Sequence, residues 1–465
     1  MSSQVDKRNI RYDVHMSAGT GGAGTRSLAV VACVEHAAFM YAPIVQTVMR
    51  GMIALGPATD AAALTPRAEH HTLANESTWL PRTLSGPLDI FVWVGPAEAP
   101  ILDLLGRLTS RGVFTVLYNA DELDRPRNKY DSGDGFRDCA TLLQSIRVVQ
   151  VWDFSFGNIV HCRTLLQPDI EHSVRAIISG QGDHETDDSI RTLLMTSIAT
   201  ASKHRHRYVP PGYVSRSQPA SLQYSSKPKL IFFGGAHRWY PRRIECLQFI
   251  RHRLVQMLNF STEAISRRCY ERWCDPTMLE CANLTCPLTV VHTAQSESQW
   301  DAHVRNNRGG LFLNVDKACN RSGERWKPTP AVWADNSHVA TSYSRSCNTF
   351  RFSALLSAGA RVFSERCHPA DEHFYKGLVE FASIDQIPKA VLTAWRSSRN
   401  SAHADDEASK RIAEFDKLFS PSRILERAGV FDAIRQHRAT HTPLNRQSLA
   451  SVRSGSGSTV PSNLT

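Results

Sequence analysis

The chain is predicted to fold as an α/β protein built from two Rossmann-like units. Three observations carry this: short, unalternating apolar runs recur along it, amphipathic helical patterns separate them, and one polar, aperiodic stretch divides the series in two. Apolar strands without alternation are buried on both faces, which calls for parallel pairing with helices on each side. At 465 residues there is length for two domains of about 200 residues, each with its own core.

Residues 1–26 are polar and glycine-rich and are expected to be disordered. The first unit, 27–214, opens with a buried strand at 27–34 and a helix at 43–55 that Gly56 and Pro57 terminate. A strand at 89–94, a helix at 99–109 ending before Gly112, and a strand at 113–117 follow. A helix around 139–146 and a strand at 147–151 come next, then an acidic loop at 181–188 and a helical pattern at 190–201 that reads as a surface insertion. The short strand 207–209 runs into the stiff turn Pro210, Pro211, Gly212. Residues 215–227, rich in Ser, Gln, Pro and Tyr and without periodicity, form the linker.

The second unit spans 228–438. Its first strand, 229–233, ends in Gly234, Gly235, Ala236, His237 and Arg238, and a helix starts near Pro241. Glycines allow close backbone approach, and the N-terminus of the following helix offers N–H groups to a phosphate. Further strands are expected at 287–291, 310–314, 361–364 and 378–381. The loop 317–346 is too long for a plain connection, so it is either functional or disordered. Over 348–387 the pattern is helix, strand, helix, strand, helix: Phe352, Leu355 and Leu356 make an apolar face, Gly359 stops that helix, and the next strand ends in Ser364 and Glu365. Helices at 405–418 and 424–437 close the unit, and 439–465 is expected to be an unstructured tail.

The formal charge is +10, but the basic residues are dispersed among acids, which argues against a nucleic-acid partner and suits a nucleotide diphosphate or anionic lipid equally well. No apolar run approaches the roughly 18–20 residues of a membrane span, and no apolar signal core follows the N-terminus. Eleven cysteines scattered through a long chain read as reduced thiols, so a cytoplasmic location is expected. The spacing C-x4-C-x6-C-x4-C over Cys269, Cys274, Cys281 and Cys286 is not a usual zinc pattern, and no metal site is expected. There is no P-loop, and the glycines at 19–24 precede the first strand instead of following it.

What stands out is position. In the second unit Gly234, His292, Asn314 and Glu365 each end or follow a strand; in the first, Glu35 and His36, then Tyr118, Asn119 and Asp121, then Asp153 and Ser155 do the same. In an open α/β sheet the ligand crevice lies outside the carboxyl ends of the strands, so these residues are expected to line two facing edges.

The segments YNADEL (118–123), VWDFSFGNI (151–159), RYVPPGYV (207–214), KLIFFGGAHRWYPRR (229–243) and RFSALLSAGARVFSE (351–365) resemble, in order and spacing, a group of GT-B glycosyltransferases, loosely glycosyltransferase family 1 or the CgeB-like group. The resemblance covers most of 27–395. It implies a GT-B-like fold, two Rossmann-like domains facing each other across a cleft. It also implies a UDP- or GDP-linked nucleotide sugar as co-substrate on the C-terminal domain, an acceptor approaching the N-terminal one, hexosyltransferase-like activity, and neither a further cofactor nor an obligatory metal. Gly234 and Gly235 would lie against the diphosphate, with Arg238 and Arg243 neutralising it. Arg351 would face the donor, Glu365 would take a ribose or sugar hydroxyl, and Asn314 opens the counterpart of the family's Asn-x-His.

One departure matters: the acidic residue usual three positions before the motif arginine is here Asn348. An amide supplies no charge, so either Asp316 or Glu365 takes over, or the chain is a catalytically inactive twin-Rossmann protein that binds sugar nucleotides or acts as a scaffold. If transfer inverts configuration, a general base must deprotonate the acceptor, and Glu35, His36 and Asp121 are the candidates. If it retains, no such base is needed.

Overall fold

The computed structural model describes residues 27–33, 38–54, 59–64, 88–95, 99–120, 150–159, 206–213, 230–234, 241–260, 286–291, 310–315, 347–367, 369–397 and 401–440, with Cys162, Cys269, Glu271, Trp273 and Cys319 as single positions. Within them are two separate parallel sheets. The first contains β1 (Ser27–Cys33), β2 (Thr59–Leu64), β3 (Leu88–Val94), β4 (Phe114–Asn119), β5 (Gln150–Asp153) and β6 (His206–Tyr208) in the order β2-β1-β3-β4-β5-β6. The second contains β7 (Leu230–Phe233), β8 (Leu288–Val291), β9 (Leu311–Asn314), β10 (Arg361–Glu365) and β11 (Val379–Ala382) in the order β11-β10-β9-β7-β8. Counted within its own unit, the first sheet runs 2-1-3-4-5-6 and the second 2-1-3-4-5, the doubly wound order in which the chain builds outward one way and then reverses. This is an α/β, GT-B-like architecture of two Rossmann-like sheets.

The lack of alternation in the strands has its cause in two packed faces. Along β7, Ile231 and Phe233 join one buried cluster while Leu230 and Phe232 join another. The second cluster is completed by Cys246, Leu247 and Ile250 of α3 (Pro241–Met257) and by Val391 and Leu392 of α6 (Ile387–Ser397). The first runs on into the other unit, reaching Tyr118, Trp152 and the residues Ile44, Val45 and Val48 of α1 (Ala38–Ile53). Each fully buried side chain of this size contributes about 1.5–3 kcal/mol, so the apolar surface shared by the two units is a large part of what holds them together.

Helix α4 (Thr349–Leu356) sits between the units. Asn348 caps it, its side-chain oxygen accepting the Arg351 N–H at 3.4 Å. Gly359, at φ +72°, ends it where a Cβ would meet Ala408 O at 2.8 Å. Thr349 and Ser353, four apart on one helical face, reach the first unit: Thr349 Oγ1 donates to Phe154 O at 3.4 Å and Ser353 Oγ to Gly212 O at 2.6 Å.

After α7 (Ser401–Phe419) the chain returns to the first sheet. There α8 (Pro421–Arg427) packs on α1, with Leu425 against Gly51, and α9 (Val430–Thr440) is tied by Arg438 Nε to Asp89 Oδ2 at 2.7 Å and by His437 Nε2 to Gly112 O at 2.8 Å. The single closing helix expected at 424–437 is therefore two. Gly429, at φ +64°, breaks it beside Arg207, whose Nη1 donates to Ala428 O at 2.7 Å. Residues assigned to the second unit by chain order thus pack on the first.

Strand β2 has no counterpart in the sequence reading, because Thr-Asp-Ala-Ala-Ala-Leu has a single β-branched residue, at its start, and no aromatic one to mark a strand. The expected linker 215–227 and the patterns at 139–146, 181–188, 190–201 and 317–346 lie outside the described residues apart from Cys319. The cysteines need correction. Cys246 is joined to Cys319 and Cys347 to Cys367, and Cys162, Cys269 and Cys286 are also disulfide-bonded. Folding brings the first two pairs to Cα separations of 6.5 and 5.3 Å across 73 and 20 residues of chain, which spacing alone does not reveal. Cys33 stays a thiol, its pKa pushed up to about 12 by burial. The thiol-based ground for a cytoplasmic location is gone.

Candidate functional site

In a doubly wound sheet the crevice opens at the carboxyl ends of the strands on either side of the point where the order reverses. In the second sheet that point lies between β7, which pairs with β8 on one side, and β9 on the other. The residue ending β9 is Asn314, and the one following β7 is Gly234. Across this gap lies the guanidinium of Arg351, delivered by the first turn of α4. Its Nη1 donates to Asn314 Oδ1 at 3.1 Å. A Cβ on Gly234, whose φ is +142°, would stand 2.7 Å from its Nη2. Only glycine allows that approach.

The neighbouring strand completes the edge. Asn314 Nδ2 donates to Ser364 Oγ at 3.0 Å, and that hydroxyl donates to Glu365 O at 2.9 Å. Glu365 itself is buried at 5% exposure, and Arg366 pairs with Glu372 at 2.7 Å instead of with its chain neighbour. Beneath the gap, the Phe232 ring carries two cations: Arg351 Cζ is 5.1 Å and Arg243 Cζ 5.4 Å from its centroid. Two guanidinium groups over one ring, Arg243 buried and Arg351 half-buried, place two cations at this end of the sheet, an arrangement that suits a multiply charged anion.

Of the residues expected to hold a nucleotide sugar, Gly234, Arg243, Asn314, Arg351 and Glu365 therefore lie on three adjacent strands and the two helices above them. Gly235, Arg238, His292 and Asp316 are outside the described residues. So are Glu35, His36 and Asp121; in chain order the first two follow β1, which flanks the reversal point of the first sheet, and Asp121 lies two positions past β4. Ser364 was named in the sequence only as the end of its strand, beside Glu365, and Phe232 was not singled out, since it reads as an ordinary strand residue until its neighbours are known.

The polar edge of the first sheet is built differently. Asp153 is fully buried. Its Oδ1 accepts from Ser155 N at 3.0 Å and Asn158 Nδ2 at 2.9 Å, and its Oδ2 from Asn119 Nδ2 at 2.8 Å and His206 Nε2 at 3.4 Å. Tyr118 OH donates to Val209 O at 2.8 Å, closing the same edge. Four donors fill the carboxylate, so this group ties β4, β5 and β6 together and has little capacity left for a ligand.

No family model and no curated protein matches the chain. Among solved structures that resemble it are the glycotransferase of kitacinnamycin, at 11% identity over 89% of this chain and 100% of that one with a TM-score of 0.36. MurG of Acinetobacter baumannii stands at 12% identity, 88% and 99% coverage and a TM-score of 0.35. A UDP complex of S. aureus MnaA stands at 9%, 88% and 98%, and 0.35. Likeness at this level assigns no ligand or activity; the site rests on the chain's own strand order and side chains.

Proposed function

We propose that the chain is a glycosyltransferase that takes a UDP- or GDP-linked sugar at the β7–β9 reversal point and passes the sugar to an acceptor on the first unit. The observation that carries this reading is the Arg351 guanidinium held by Asn314 over Gly234, with Arg243 sharing the same aromatic ring. Glycosyl transfer passes through an oxocarbenium-like state while negative charge grows on the departing diphosphate. Fixed cations aimed at that group act where charge develops and need no reorganisation as the bond breaks. Gly234 lets the diphosphate approach the backbone, Arg351 and Arg243 supply the positive charge, and the positive end of α4 adds to it. Glu365, on the adjacent strand, is the proposed partner for a ribose or sugar hydroxyl. Glu35, His36 and Asp121 stay the base candidates for an inverting reaction.

A second reading, a catalytically silent sugar-nucleotide-binding or scaffold protein, is favoured by one observation: Asn348, where an acid is expected, serves as the cap of α4. The transferase reading and the sugar-nucleotide-binding form of the second share the binding site and differ in turnover, whereas a scaffold needs no such site. Donor hydrolysis or transfer in an acceptor screen separates them. Both require Arg351→Ala to weaken UDP or GDP binding by about 1.5–3 kcal/mol, the worth of a hydrogen bond to a charged group. Unchanged affinity in a calorimetric titration would remove the site.

A further inference from the structure

Helix α5 (Pro369–Phe374) carries a carboxylate that the reaction just described does not use. Asp371 is fully buried. Its Oδ1 accepts the Phe156 N–H at 2.7 Å; its Oδ2 accepts the Ser155 hydroxyl at 2.5 Å and the Cys347 N–H at 3.4 Å. Two of these donors follow β5 in the first unit, and the third stands just before α4 in the second. Cys347 is joined to Cys367, two residues ahead of α5, so Asp371 and the approach to α4 are braced at both ends. The next residue, Asn348, caps α4 and takes the N–H of Arg351, whose guanidinium holds Asn314. A continuous line of contacts runs from Ser155, through Asp371, to the cation at the reversal point.

We propose that Asp371 is a positioning residue: its carboxylate pins Cys347 and Asn348 against the first unit, and so sets how tightly the Arg351 end of the site binds a diphosphate. The inference rests on the diphosphate reading of that site. Supports that are themselves buried and hydrogen-bonded distinguish a preorganised charge from a loosely held one.

The surroundings of Asp371 make this dependent on its charge. Facing it are Asp153 of β5, Tyr208 of β6, and Tyr375 just past its own helix; Arg427 of α8 faces the two tyrosines, and Tyr118 of β4 and His206 of β6 lie behind, on Tyr208 and Asp153. No cation touches the carboxylate directly among its described partners. Burial raises its pKa to about 7, with the charge of Asp153 adding to the rise and the bonds from Ser155, Phe156 and Cys347 opposing it. Once protonated, one oxygen becomes a donor. The longest of its accepted bonds, from Cys347, is the one given up.

The test is calorimetric binding of UDP, GDP and inorganic pyrophosphate to the full chain at pH 6 and pH 8. Wild type, Asp371→Asn and Ser155→Ala are compared, with melting curves alongside. Asp371→Asn cannot ionise, and binding is expected to weaken about tenfold at pH 8. The ratio of wild-type to variant affinity cancels the ligand's own titration; it is expected to fall towards one at pH 6. A ratio that is the same at both pH values overturns the inference and leaves the diphosphate site standing. Wild-type protein that binds none of the three probes overturns the site and this inference together. Should Asp371→Asn fail to melt cooperatively, Ser155→Ala decides: about a threefold loss at pH 8 supports the line of contacts, and no loss refutes it.

Discussion

Asp153 in the first unit and Arg351 in the second both stand at the carboxyl edge of a doubly wound parallel sheet, yet their surroundings differ. Asp153 is completely enclosed, with two asparagines, a histidine and a backbone N–H bonded to its two oxygens. Arg351 is half-buried, one nitrogen on Asn314 and another beside the bare backbone of Gly234. A polar residue at a sheet's carboxyl edge can thus be a knot that closes the edge or a group that faces a ligand. What differs is how each is placed: Asp153 is bonded by groups on and beside three adjacent strands, whereas Arg351 comes off a helix and lies over the gap between β7 and β9.

The largest expected effect tests the knot. Asp153→Ala strips the acceptor from four buried donors, and a loss of about 3–5 kcal/mol is expected in chemical denaturation. A loss under about 1 kcal/mol would mean that the first edge is held by its apolar packing alone. Next comes Asp371, which lies where the two edges meet. Its carboxyl rises from an ordinary 3.8 to about 7, so between those values the folded chain holds more protons than the unfolded one. Stability from this group is therefore full below about pH 4, falls as pH rises to about 7, and is level beyond, at a slope of at most about 1.4 kcal/mol per unit. Urea titrations from pH 5 to pH 8 should show Asp371→Asn gaining on the wild type over that range; parallel curves would mean that the carboxyl is not raised.

The ligand edge is tested by Gly234→Ala, which forces a side chain onto φ +142° and into Arg351 Nη2. A cost of about 1–3 kcal/mol is expected in denaturation, together with weaker UDP binding. A variant that is stable but no longer binds UDP would sharpen the comparison most, since it would separate the fold from the edge. The smallest effect is at Asn348. Replacing it with alanine removes a cap worth about 1 kcal/mol, and aspartate at the same place should restore it. If Asn348→Asp also brings donor turnover to a protein that lacked it, the inactive reading gains its explanation.

Much of this was legible in the sequence. Strands β3, β4 and β6 to β11 fall within a residue or two of where the apolar runs place them, because burial on both faces forces that pattern. Gly234, Asn314 and Glu365 could be nominated from position alone, since a strand's carboxyl end is where sheet ligands bind; Arg351, on a helix, was nominated only by the family resemblance. Strand β2, rich in alanine, carried no such mark. The break at Gly429 was hidden inside an unbroken helical period. Asp371 reads as one of two acids in the first turn of a short helix, a common and usually exposed placement.

What the sequence by itself determined is the local grammar: which runs are strands, where helices stop, and which polar residues lie at strand ends, all of it encoded within a few residues. Tertiary structure alone decided which of those ends meet, that Asp153 is saturated while Arg351 reaches across the reversal point, that seven of the described cysteines are paired, and that Asp371 bridges the two units. Pairing and burial depend on residues tens to hundreds of positions apart, and no local period records who sits opposite whom.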